Sequence, residues 1–172
     1  MFLKFIRDFG LKKIISKSLS NYKPASSPDV VTTVGILVDE SYFTNKEALI
    51  DDLAANGILR DDIKTLSFKE RIKPKEIIEC CHFTRKDIAS NGEFKKSDVA
   101  EFINTPFDML ISYYDVQKPP LVLATIKSQA KFKVGFATVD KRLNHFMIGT
   151  VAEKHDEFTA ELFKYLKILN KL

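Results

Sequence analysis

Seven of the nine residues in Val30–Val38 (VVTTVGILV) are β-branched, and no polar side chain larger than threonine interrupts them. Such a run packs well on a pleated surface and reads as a strand buried on both faces, a situation found almost only in parallel sheets covered by helices. Two acidic residues, Asp39 and Glu40, close the run. A helix is expected next. Thr44 and Glu47 have capping-box spacing, Ala48, Leu49 and Leu53 supply an inner face, and Gly57 marks a stop. Ile63–Phe68 then completes strand–helix–strand, the unit from which parallel sheets are built.

The rest of the chain repeats the alternation. Ile77–Phe83 reads as a strand. Lys69–Lys75 before it is too short for a helical crossover, so this strand is expected at a sheet edge or antiparallel. Asn91-Gly92 marks a turn in a surface loop over 84–96, and Ser97 is placed to cap a short helix through Phe102 and Ile103. Phe107–Tyr114 is a strand closed by Asp115. Pro119 and Pro120 open a helix over Leu121–Ala130, since a missing N–H costs nothing there. Lys133–Val139 and Leu143–Ile148 read as strands. Glu153–Leu169 reads as a last helix, with Phe158, Leu162, Tyr165, Leu166 and Leu169 on one face. The pattern predicts an α/β fold: a three-layer, Rossmann-like (flavodoxin-like), mostly parallel sheet over residues 30–172.

Ahead of this domain the charge is uneven. Residues 1–23 carry Lys4, Arg7, Lys12, Lys13, Lys17 and Lys23 against Asp8 alone, a net +5 in a chain of net +4, so the body is close to neutral. Residues 1–23 read as a basic amphipathic helical arm, and the Pro- and Ser-bearing stretch 24–29 as a linker. At the helical period Phe2, Phe5, Ile6 and Phe9 share one face. Leu11, Ile14, Ile15, Leu19 and Tyr22 share another, nearly opposite. Gly10 lies between them, where a kink is cheap. Lys4, Arg7, Lys12, Lys13 and Lys17 are therefore the expected partner-binding residues, for an acidic protein, RNA or an anionic membrane surface; DNA is not expected. Two opposed apolar faces also fit packing on the body or a homodimer interface. Lys4, Arg7 and Asp8 interrupt the apolar stretch a secretion signal needs.

The body offers little recognisable chemistry. Ligands of open α/β sheets bind beyond the carboxyl ends of the strands. That rule selects Asp39, Asp115 and Asp140 as candidate catalytic carboxylates, able to hold magnesium, and Glu40, Tyr114 and Arg142 as candidate cleft residues. Asp is equally at home where strands turn into loops. Neither G-x-G-x-x-G nor G-x-x-x-x-G-K-[ST] occurs, although a helix N-terminus at Pro119–Leu121 offers another way to hold phosphate. Ser112 lies in a strand outside any G-x-S-x-G, and the histidines form no metal-ligand spacing. Lys127, Lys131 and Lys133 around Phe132 mix cations with an aromatic, as RNA binders do, but also fit a helix end running into a strand. The adjacent Cys80 and Cys81 supply no disulfide framework and fit a reduced cytoplasm. The 45% apolar composition excludes a disordered chain, and no run of apolar residues is long enough to span a bilayer. No resident metal or cofactor is expected, magnesium being the one the carboxylates leave open. The expected function is a non-enzymatic interaction module working through its arm, cytoplasmic or peripheral to the membrane. The alternative is a small metal-assisted phosphotransferase or hydrolase.

Four stretches carry a resemblance: MFLKFIRDFGLKK at the start, FDMLISYYD (107–115), KSQAKFKVGFATVDKRLN (127–144) and ELFKYLKILNKL (161–172). Together they make the chain similar to a family of small uncharacterised proteins, chiefly from Bacteroidota. The resemblance implies a cytoplasmic bacterial protein and transfers no catalytic residue, cofactor or activity.

Overall fold

A computed structural model describes residues 2–23, 30–72, 76 and 81–172; of residues 2–8 it describes the backbone. The helices are α1 (Phe2–Asn21), α2 (Lys46–Ala55), α3 (Ser97–Asn104), α4 (Pro119–Lys127) and α5 (His155–Ile168). The strands are β1 (Val34–Asp39), β2 (Ile63–Phe68), β3 (His82–Phe83), β4 (Met109–Tyr113), β5 (Phe132–Phe136) and β6 (Phe146–Ile148). They form one sheet in the order β3-β2-β1-β4-β5-β6, with every neighbouring pair parallel. This is the doubly wound Rossmann order and not the 2-1-3-4-5 order of flavodoxin. The two orders share one succession of element types and differ in where the chain crosses to the second half, which local pattern does not encode. β3 is an edge strand, as expected, but parallel: the connection after Lys69 returns the chain to the same end of the sheet.

Strand alternation sorts the core into two layers. Val34, Ile36 and Val38 of β1 and Met109, Ile111 and Tyr113 of β4 pack with Leu49 and Leu53 of α2 and Phe158 and Leu162 of α5. Leu37, Leu110 and Tyr114 face the opposite way, into a layer with Phe102 of α3 and Leu121 and Leu123 of α4. Gly35 lies where a side chain has no room, since a Cβ there would come within 2.7 Å of the Phe107 ring. The Thr44–Glu47 capping box does not form. Helix α2 begins one residue later, with Asn45 at its N-cap and no side-chain cap bond. Thr84 and Asp87 make such a box instead, on a single 3-10 turn. Gly57 (φ 98°) and Gly92 (φ 84°) occupy the left-handed region that their predicted turns require.

α1 runs as one continuous helix through Gly10. Its Leu11, Ile15 and Leu19 are buried in the α3/α4 layer, with Ile14 packed against it. Of the placements the sequence leaves open for the arm, its second half takes packing on the body and belongs to the core. The expected linker, 24–29, lies outside the described residues. The opposite face of α1 is open, and Phe9 is 65% exposed.

Candidate functional site

The switch point of this sheet lies between β1 and β4, the place where ligands of such folds bind. Here β1 ends on Asp39, whose Oδ1 accepts the Ser41 amide at 3.0 Å and whose Oδ2 pairs with Lys118 Nζ at 2.7 Å. Lys118, the N-cap residue of α4, also pairs with Glu70 at 3.0 Å and lies 4.5 Å from the centre of the Tyr42 ring. Burial disfavours its ammonium, but Asp39 and Glu70 outweigh that and raise its pKa. Beside it, Glu40 pairs with Lys46 at 2.7 Å and Lys69 at 2.8 Å and accepts the Ser67 hydroxyl at 2.7 Å. Burial alone would raise the Glu40 carboxyl; the three donors outweigh it and hold the group at about 2. Lys69 continues to Glu76 at 2.7 Å. The carboxyl ends of β1 and β2 are thus covered by a network in which lysines answer the carboxylates.

The three candidate catalytic carboxylates are committed to different partners. Asp39 holds Lys118, and Asp115 accepts the Ala152 amide at 3.0 Å. Asp140 binds Arg142, which holds its carboxyl at about 2, while its own amide donates to Gln117. Among the described residues no three His, Cys, Asp or Glu side chains gather into a metal-holding group. Pro119 and Pro120 occupy the first turn of α4, so the helix start proposed for phosphate lacks two amide donors. Tyr114 is not a cleft residue: it is 1% exposed, and its hydroxyl meets Thr125 at 2.7 Å. Both Tyr113 and Tyr114 are core because they face opposite sides of the sheet, Tyr113 against Phe158 of α5 and Tyr114 against Thr125 of α4, whereas the sequence predicted that one of them would reach a cleft. Arg142 does lie toward solvent in its ion pair with Asp140, whereas the Glu40 side chain is only 9% exposed between Lys46 and Lys69. At the far edge, β6 and α5 border a groove of about 480 Å³ lined by Phe146, Ile148, Thr150, Glu157 and Tyr165.

Sequence reasoning missed Lys133. Its stretch read as a basic–aromatic surface, yet Phe132 and Lys133 are both interior, Lys133 being 3% exposed. The ammonium donates to the Tyr22 hydroxyl (2.6 Å) and to the carbonyls of Thr125 (2.7 Å) and Ser128 (2.8 Å), fastening α1 to the end of α4. The one available signal was that Lys133 opens the stretch 133–139 that reads as a strand. Burial pushes its ammonium down to about 8 and the Tyr22 hydroxyl up to about 12. Free lysine titrates near 10.4, so the unfolded chain binds more protons between the two values. Stability is therefore expected to rise from pH 8 toward 10 by about 2 kcal/mol. Above pH 10 the trend reverses, because tyrosine ionises first in the unfolded chain. Urea melts across this range check it: Lys133→Met should lose the rise, and identical profiles for variant and parent would contradict the assignment.

The open face of α1 is the remaining feature of note. Lys12, Lys13, Lys17 and Lys23 are all exposed and have no ion pair among the described residues. The side chains of Lys4 and Arg7 lie outside the described residues.

Taken together, fold and site define a Rossmann-like α/β protein with an internally paired sheet edge and a basic helix docked on one layer. The chain belongs to a family of unknown function (DUF6913), which matches residues 7–169. The match begins inside α1, so most of this helix falls within the shared domain. No curated protein and no solved structure matches the chain.

Proposed function

We propose that the protein is a non-enzymatic cytoplasmic interaction module that engages an acidic surface through the outward face of α1. One observation carries this reading. The inward face of α1 is buried on the body, while Lys12, Lys13 and Lys17 project outward without carboxylate partners among the described residues. A helix held in this way presents its cations in a fixed array, which lowers the ordering cost of binding. Metal-assisted phosphoryl or hydrolytic chemistry at Asp39, Asp115 and Asp140 is the less supported alternative, since each of these carboxylates is engaged by a different neighbour.

The test is fractionation of native lysate containing the full-length protein or its Lys12→Glu/Lys13→Glu/Lys17→Glu variant. The parent is expected in a larger assembly or a pelletable fraction, and the variant as free protein. Matching profiles would overturn the reading.

A further inference from the structure

Resting on that reading, we infer that the acidic surface is an anionic lipid bilayer, on which α1 lies flat between the body and the headgroups. The outward face of α1 is not merely basic. Phe9 stands 65% exposed on it, one to two turns before Lys13 and Lys17. In sequence, the helical period groups Phe2, Phe5 and Ile6 with Phe9. The first half of α1 is aromatic-rich and the second lysine-rich, with no carboxylate after Asp8, and aromatic rings beside basic residues are what interfacial anchors use. The Phe9 ring enters the acyl boundary and the lysines meet anionic headgroups, each lysine strengthening binding about five-fold.

The neighbouring loop 84–96 is net basic, with Arg85, Lys86, Lys95 and Lys96 against Asp87 and Glu93. Its Gly92 lies under Ile14, and Lys86, Lys95 and the acid Glu93 are its exposed charges. Attachment would be peripheral, since no helix among the described residues is long and apolar enough to cross a membrane. An RNA partner is less well matched. Tyr22, just beyond the end of α1, is turned inward to Lys133, which leaves Phe9 as the one exposed ring described on this face, whereas single-stranded RNA stacks successive bases on several.

The experiment is co-sedimentation of the full-length protein with vesicles of phosphatidylglycerol and phosphatidylcholine in equal parts, and with phosphatidylcholine alone. The parent should pellet with the anionic vesicles and stay in solution with the neutral ones. Lys12→Glu/Lys13→Glu/Lys17→Glu should weaken the partition about a hundred-fold, and Phe9→Ser about ten-fold. All four positions are surface sites, and circular dichroism verifies that both variants remain folded. A parent that ignores anionic vesicles, or a charge-reversal variant that binds as well as the parent, overturns the membrane assignment. If vesicle binding fails while the same variant still leaves its assembly in lysate, the acidic surface is a protein or RNA and the interaction reading stands. If both fail, both fall.

Discussion

Deletion of residues 1–23 is expected to unfold the α/β body. The deletion removes Leu11, Ile15 and Leu19 from the α3/α4 layer and strips cover from Leu121 and Leu123. Truncating one large buried aliphatic side chain costs about 2–5 kcal/mol. Losing three together approaches or exceeds the roughly 5–15 kcal/mol that holds a whole domain folded. Lys133 would also lose the Tyr22 hydroxyl, one of its three acceptors. Circular dichroism and urea titration of the shortened chain give the answer: loss of cooperative unfolding is expected, and a transition with an unchanged midpoint would show that α1 contributes nothing to the core. The practical consequence concerns functional assays. Truncation confounds binding with folding, whereas charge reversal at exposed lysines separates them.

Asp108→Ala should lower stability by about 3 kcal/mol. Asp108 stands just ahead of β4 and ties it to the entry of β1. Its Oδ2 accepts the amides of Thr32 (3.1 Å) and Thr33 (3.0 Å) and both hydroxyls (2.8 and 3.0 Å), and its Oδ1 pairs with Lys131 at 2.9 Å. Removing the carboxylate takes one shared acceptor from four donors and ends the ion pair with Lys131. Burial would raise this carboxyl, but the bonds from Lys131, Thr33 and Thr32 outweigh it and hold the group well below the usual range. A carboxylate with a depressed folded pKa contributes stability above its unfolded value, near 3.9, and that contribution fades as pH falls through the folded value. The parent should therefore lose stability on acidification below pH 4 more steeply than Asp108→Ala. Denaturation midpoints that coincide at neutral pH would refute the staple.

How much of this was legible in the sequence depends on how local each determinant is. The β-branched run of β1, the two prolines opening α4 and the 3.6-residue period of α5 declare their elements within a few residues. Strand order does not, because it depends on which side of the sheet each connection takes. The Asp108 staple joins residues 75 and 76 positions apart, and nothing near Thr32 or Thr33 announces it. Lys133 shows the same limit: a lysine after a helix resembles surface until the sheet is assembled around it. For α1, both apolar faces could be read, but which of them the body would use could not. Asp39 and Glu40 were correctly placed at the carboxyl end of β1, while the lysines that answer them come from α2, α4 and the end of β2.

The contact between Tyr22 and Lys133 has a consequence for biosynthesis. These residues are 111 positions apart, so α1 leaves the ribosome well before β5. At about 5–20 residues per second, its docking layer arrives only some 6–20 s later. Through that interval the nascent helix carries two apolar faces with no body to cover either. One of them is destined for the interior. The other is available throughout that interval, so the nascent chain can meet its acidic surface before the layer that docks α1 has been made.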